Sequence, residues 1–259
     1  MYNLPVVDAH LHVSEDGKWI SDGYDASLGR LLDEMEKSAI DYGLILSFPG
    51  LSQNEFIKGV CEGSKGKLFA LAGYDPSTSV SKDIYSYLDN NETFKGVKIH
   101  PRNSNTSPLD EKLFPLYEEI IKRGMVVNFD ALGHSETLPL DEIRPTAFDR
   151  LAKKFPEMKI VLSHCGVPWV MEAFFTAKSN KNLHLDCSFI IDRYKGSSIE
   201  QDLLYTAKHL DSKLIYGSDF PERSINRYFS LAKISFSEIT EEKRSKIFGS
   251  NAIKLYGLE

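Results

Sequence analysis

The stretch Val6-Val-Asp-Ala-His-Leu-His-Val13 is an apolar, β-branched run that sets His10 and His12 two residues apart. Successive side chains of a strand alternate faces, so residues i and i+2 project together. Two neutral imidazoles aimed at one point make half of a metal site, and the same spacing also suits two hydrogen-bonded histidines at a polar strand end. The rest of the chain decides between these readings.

Seven further runs read as short strands closed by turn residues. They are Tyr42–Phe48, Leu68–Tyr74, Gly96–His100, Met125–Asp130, Lys159–His164, Leu183–Cys187 and Leu214–Asp219, and the opening run covers residues 5–13. Their continuous apolar character predicts strands buried on both faces. Helical periodicity lies between them, as in 109–123, where Leu113, Leu116, Tyr117, Ile120 and Ile121 fall at three- and four-residue steps. Segments 139–155 and 199–210 repeat the pattern, and 241–255 predicts a closing helical segment. Strands alternating with helices imply parallel pairing through crossovers, and this chain length supports closure into an α/β (β/α)₈ TIM barrel, with a doubly wound open sheet as the alternative.

A chain of 259 residues with 42% hydrophobic content can bury a large core. No Pro/Gly/Ser-rich stretch, charge block or low-complexity segment divides it, so residues 1–259 read as a single domain. The formal net charge of −6 disfavours nucleic-acid binding by phosphate neutralisation and favours a small-molecule substrate. No run of about 18 apolar residues predicts a membrane span. The start Met1-Tyr-Asn-Leu-Pro5 lacks a basic segment followed by an apolar one. Cys61, Cys165 and Cys187 are odd in number and widely spaced, without a Cys-x-x-Cys pair. A soluble protein of the reducing cytoplasm is therefore expected. Association as a homodimer is compatible with this reading.

A barrel of this kind carries its chemistry where strands end and loops begin. His10, His12, His100, Asp130, His164 and Asp219 all fall at carboxyl ends of predicted strands, so they would gather around one mouth. The first and eighth strands become neighbours on closure, which brings His10 and His12 to Asp219. Two imidazole nitrogens and a carboxylate suit one Zn²⁺ or a similar divalent ion, with positions left for water and substrate. The ion would make water acidic enough to attack, with Asp219 or His164 taking the proton and returning it to a leaving group. In Gly96-Val-Lys-Ile-His-Pro-Arg102, His100 is a candidate ligand, Lys98 a bridge, substrate contact or structural pair, and Arg102 an anchor for a substrate carboxylate. His134, His184 and His209 read as structural: His184 alternates away from its strand end and His209 sits in a polar helix.

The motifs His10-Leu-His12, Gly-Val-Lys-Ile-His100-Pro, Leu-Ser-His164-Cys-Gly, Tyr-Gly-Ser-Asp219-Phe-Pro and Asn251-Ala-Ile-Lys-Leu-Tyr-Gly together resemble the amidohydrolase superfamily, specifically its amidohydrolase-2 branch. The resemblance spans nearly the whole chain. It implies metal ligation by His10, His12 and Asp219, with His164 orienting or activating water. That branch holds metal-dependent decarboxylases similar to aminocarboxymuconate semialdehyde decarboxylase, together with lactonases and other hydrolases of carboxylated or sugar-derived substrates. Decarboxylase-like members carry a histidine at the end of the fifth strand, whereas this chain reads Val127-Asn-Phe-Asp130. Asp130 could act there as an oxygen ligand, His100 could supply a nitrogen from strand four, or the site could work without tightly bound metal, as in some lactonase-like members.

The leading expectation is a metal-dependent hydrolase acting on a lactone, ester or amide of a small carboxylate-bearing or sugar-derived molecule. A non-oxidative decarboxylase at the same site, a metal-independent lactonase and a barrel that only binds its ligand are the alternatives. Specificity is expected in loops 14–24, 102–108 and 189–196, with Trp19, Trp169 and Tyr194 as pocket walls or plain packing.

Overall fold

The computed structural model describes residues 4–20 and 23–258. The reading of the first three residues, and that of positions 21 and 22 within loop 14–24, lies outside the described residues. Eight parallel strands follow in chain order: β1 Val7–Leu11, β2 Tyr42–Leu46, β3 Leu68–Tyr74, β4 Phe94–Ile99, β5 Val126–Phe129, β6 Lys159–Leu162, β7 Leu183–Asp186 and β8 Leu214–Ile215. Each pairs with the next in sequence.

Closure between β8 and β1 is made by hydrogen bonds just past the short last strand. Ala9 N donates to Tyr216 O at 3.0 Å, Asp219 N to His10 O at 2.9 Å and His12 N to Phe220 O at 2.8 Å. Asp8 adds a side-chain tie, its Oδ1 accepting from Ser218 N at 2.9 Å. The chain therefore forms a (β/α)₈ barrel and not an open sheet, and the ends of the sequence meet at one seam.

The helices pack around the sheet because their apolar stripes need a covered face. Leu28–Ser38 is capped by Ser27, whose Oγ accepts from Arg30 N at 3.3 Å, and it ends in a left-handed Ala39. Pro145 opens the helix Pro145–Lys154 at a position where its missing N–H costs nothing. The stretch expected as one helix over 109–123 divides into a turn, Glu111–Leu113, and the helix Phe114–Lys122. That over 139–155 begins only at Pro145, after a separate turn, Leu140–Glu142.

Every strand but β3 stops one to four residues before its predicted end. β6 ends at Leu162 because His164 and Cys165 turn to φ of 58° and 50°, and Asp219 beyond β8 adopts φ 72°. Such left-handed conformations leave the strand geometry and are unfavourable for residues with a Cβ, so packing around the mouth must hold them.

The barrel interior is layered. Leu44, Leu46, Leu71, Val126, Val161 and Ile215 form an apolar cluster with Ala252, Leu255 and Tyr256 of the C-terminal helix Asn251–Tyr256. Buried polar side chains, among them His10, Lys98, Asn128, Ser163 and Asp186, supply the rest of the interior. A polar layer of this kind is tolerable only when its members are hydrogen-bonded to one another. Lys98 Nζ donates to Asn128 Oδ1 and Ser163 Oγ, both at 2.7 Å. Burial pushes the Lys98 amine down to about 8, against the pull of Asp130, Asp186 and Asp219.

Candidate active site

His10 Nε2 lies 3.3 Å and His12 Nε2 3.6 Å from Asp219 Oδ1. Two ligand atoms each about 2.1 Å from a tetrahedral centre stand roughly 3.4 Å apart, so the spacing fits ligation of one divalent ion. The other nitrogens of both rings are engaged elsewhere. His10 Nδ1 lies 2.9 Å from Asp186 Oδ2, and His12 Nδ1 2.7 Å from the Leu46 carbonyl. A carboxylate and a carbonyl accept, so each Nδ1 donates and each Nε2 is turned toward Asp219. The donor set therefore fits a metal ion.

Gly217 makes room for this arrangement, since a Cβ there would come within 2.6 Å of His10 Cβ. Burial pushes the His10 imidazole down to about 4, against the pull of Asp186 and Asp219. Burial also raises the Asp219 carboxyl, but the three neighbouring imidazoles of His10, His12 and His164 more than offset it, and the group stays ionised. A neutral imidazole beside an ionised carboxylate is the protonation state that ligation requires.

A second group with metal-ligand spacing joins His10, His164 and Asp186. The Ser188 hydroxyl fills its centre, with Oγ 3.0 Å from both His10 Nδ1 and His164 Nδ1 and donating to Asp186 Oδ1. That cluster is a hydrogen-bonded network beneath the first one. Sequence reasoning misses Asp186 and Ser188, although Asp186 obeys the same strand-end rule that finds the other groups.

His164 is buried at the mouth, its Nδ1 3.2 Å from the Ser188 carbonyl and its Nε2 3.6 Å from Asp130 Oδ1. Asp130 in turn accepts from Arg102 Nε at 2.5 Å through Oδ2. Burial raises the Asp130 carboxyl, and Arg102, His100, His164 and Lys98 together hold it far below the usual range. His100 packs against Phe48 with ring centroids 4.4 Å apart, and burial, then the Lys98 charge, push its imidazole well down. Neither His100 nor Asp130 joins a group of metal-ligand spacing among the described residues. Lys98 lies fully buried on Asn128 and Ser163.

Aromatic rings wall the mouth. Trp19 stacks on His12 at 4.9 Å and donates from Nε1 to Glu222 at 3.2 Å, while Phe48 meets both rings edge-on. Phe189, in a left-handed conformation, stands 5.7 Å from the His164 ring, and the Arg223 guanidinium lies 4.6 Å from the Phe189 ring centroid. Trp169 instead packs under Arg144, and Tyr194 against the outer core. Of the histidines read as structural, His209 packs against Tyr205 with ring centroids 4.3 Å apart and His184 is half-buried. A cavity of about 330 Å³ beside the mouth is lined by Arg102, Asn103, His134 and Glu136. A larger one, about 580 Å³ and lined by Val6, Asp41 and Arg244, lies at the opposite end of the barrel, where the strands begin.

The sequence profile of a family described as amidohydrolase matches residues 7–258. No curated protein matches the chain in sequence. Among solved structures, an uncharacterized TIM-barrel protein from Bordetella bronchiseptica superposes with a TM-score of 0.81 at 18% identity, over 98% of this chain and 99% of that one. A probable 2-pyrone-4,6-dicarboxylic acid hydrolase from Acinetobacter baumannii, with citric acid bound, gives 0.72 at 15% identity, over 98% and 100%. The 5-carboxyvanillate decarboxylase of Novosphingobium aromaticivorans, complexed with manganese and 4-hydroxy-3-methoxy-5-nitrobenzoic acid, gives 0.72 at 11% identity, over 98% and 96%. At these identities the likeness is one of fold.

Proposed function

Since the chain belongs to the amidohydrolase family, we propose that it is a hydrolase using one divalent metal ion, zinc or manganese, against a lactone, ester or amide of a small carboxylate-bearing molecule. The observation that carries this reading is the convergence of His10 Nε2 and His12 Nε2 on Asp219 Oδ1, with both Nδ1 atoms committed to acceptors. A divalent ion held by these three residues would supply Lewis-acid polarisation of a carbonyl and a more acidic water.

The protein's own groups supply the proton handling and the orientation. His164 Nδ1 faces the Ser188 carbonyl, which only accepts, so Nε2 carries the lone pair and takes the proton of the attacking water. The same atom returns that proton to the leaving oxygen or nitrogen. Asp130 stands beside His164 Nε2 and favours the protonated ring once it forms. Arg102 engages Asp130 through Nε, and its terminal nitrogens have no hydrogen-bond partner among the described residues. They suit a substrate carboxylate at the edge of the cavity beside the mouth. Trp19, Phe48 and Phe189 limit water at the reacting centre and favour a flat substrate.

The test is product analysis with a panel of lactones, esters and aromatic carboxylic acids, using manganese- or zinc-loaded protein. Ring opening or acid release without CO₂ supports the proposal. Release of CO₂ from a carboxylic acid assigns the site to non-oxidative decarboxylation instead, the activity in the name of the manganese-containing neighbour.

A further inference from the structure

We propose that Asp186 and Ser188, from β7 and the turn after it, act as one positioning unit that fixes both His10 and His164 with the proton on Nδ1, so that both Nε2 atoms face the mouth as bases. The proposal rests on the metal-site reading for its purpose but not for its geometry. Asp186 and Ser188 are both buried, at 1% and 0% exposure, so water does not compete for these hydrogen bonds.

The two oxygens of Asp186 have separate duties. Oδ1 accepts from Ser188 N at 2.9 Å, from His164 N at 3.3 Å and from the Ser188 hydroxyl. Oδ2 faces His10 Nδ1, its one hydrogen-bond partner among the described residues. With its hydrogen directed to Asp186, the Ser188 oxygen has only lone pairs left for the two imidazoles, and both Nδ1 atoms lie 3.0 Å from it. One acceptor between two rings therefore sets the same tautomer on a ligand from β1 and on a base beyond β6. A carboxylate that directs a histidine by its second nitrogen is a positioning residue: it acts through the imidazole.

This division of labour makes an isosteric change decisive. In Asp186→Asn the oxygen must take the side that meets three donors, so the amide NH₂ faces His10 Nδ1. An NH₂ group donates, and His10 must then move its proton to Nε2, the atom that would hold the metal. Ser188→Ala removes the shared acceptor and leaves His164 only the longer contact to the Ser188 carbonyl, whose position the alanine backbone retains.

The experiment is ¹⁵N-histidine NMR on metal-free protein, on the alkaline side of the imidazole range, with zinc titration of the same samples by calorimetry. Wild type is expected to show a protonated Nδ1 and a bare Nε2 at both His10 and His164. Asp186→Asn is expected to reverse that pattern at His10 and to weaken zinc at least about tenfold. Ser188→Ala is expected to keep the His10 pattern and to average the two forms at His164. An unchanged His10 pattern in folded Asp186→Asn overturns the proposal; if that variant does not fold, an unchanged His164 pattern in Ser188→Ala does so. Wild-type protein with the expected tautomers but no zinc binding would remove the metal reading while leaving the positioning unit in place.

Discussion

The Asp130 carboxylate is held by Arg102 at 2.5 Å on one oxygen and stands 3.6 Å from His164 Nε2 on the other. The fifth strand thus offers the mouth an ionised carboxylate shared between a guanidinium and an imidazole. Its place is beside the His164 imidazole, and it joins no group of metal-ligand spacing among the described residues.

Asp130→Ala is accordingly expected to retain metal stoichiometry while lowering kcat by about 10- to 100-fold, since His164 loses the carboxylate that stabilises its protonated form. Elemental analysis and steady-state kinetics on one preparation check both halves. Loss of metal would place Asp130 among the ligands.

Arg102→Gln is expected to raise KM for carboxylate substrates by tenfold or more, a loss of about 1.4 kcal/mol or more of binding, with a smaller effect on an uncharged analogue. Parallel saturation curves for a carboxylated substrate and its amide are the measurement. Equal losses on both would assign Arg102 to holding Asp130 alone.

Gly217→Ala places a Cβ 2.6 Å from His10 Cβ, inside contact distance in a seam that cannot open without breaking β1–β8 hydrogen bonds. The expected cost is about 1–3 kcal/mol of stability, with weakened metal binding because His10 is the side chain displaced. Urea denaturation and zinc titration test it. A variant of wild-type stability would mean that the seam yields freely.

In metal-free protein, acid is expected to lower stability between the ordinary histidine value of 6.5 and about 4. The sign follows from the depressed His10 imidazole: across that window the unfolded chain takes up a proton that the native ring refuses, so stability is highest above it. The buried His100, shifted in the same direction, adds to the loss. For each such group, a tenfold fall in proton affinity on folding is worth about 1.4 kcal/mol. The buried Asp8 carboxyl, pushed up to about 7, acts the other way, because the native group takes up its proton before the unfolded one, and it offsets part of this loss. Denaturant midpoints measured across the window in Asp8→Asn, which removes that offset, check the histidine contribution, and a flat profile in that variant would contradict the burial of both rings.

The order of strands and the residues at their carboxyl ends are legible in the sequence because strand period and turn chemistry are local properties. His10 and His12 follow from i, i+2 spacing, and the same alternation places Lys98 below His100 and Asn128 below Asp130. Asp186 is equally accessible to that rule, since it ends the run Leu183-His-Leu-Asp. The left-handed turns at His164, Cys165 and Asp219 are not legible, because residues with a Cβ adopt them only under constraint from packing distant in sequence. For the same reason the sequence predicts β6 and β8 longer than they are. The capture of Asp130 by Arg102 is also hidden, since nothing local distinguishes a carboxylate that binds metal from one that binds guanidinium.

The metal site is tested most directly by a zinc titration, followed by calorimetry, of metal-free wild type beside His12→Ala and Asp219→Asn. One tight ion per chain is expected in wild type and at least about a hundredfold weaker binding in each variant, since each removes a ligand atom from a three-residue site. Binding that survives both substitutions, or a wild-type protein that takes up neither zinc nor manganese, would contradict it.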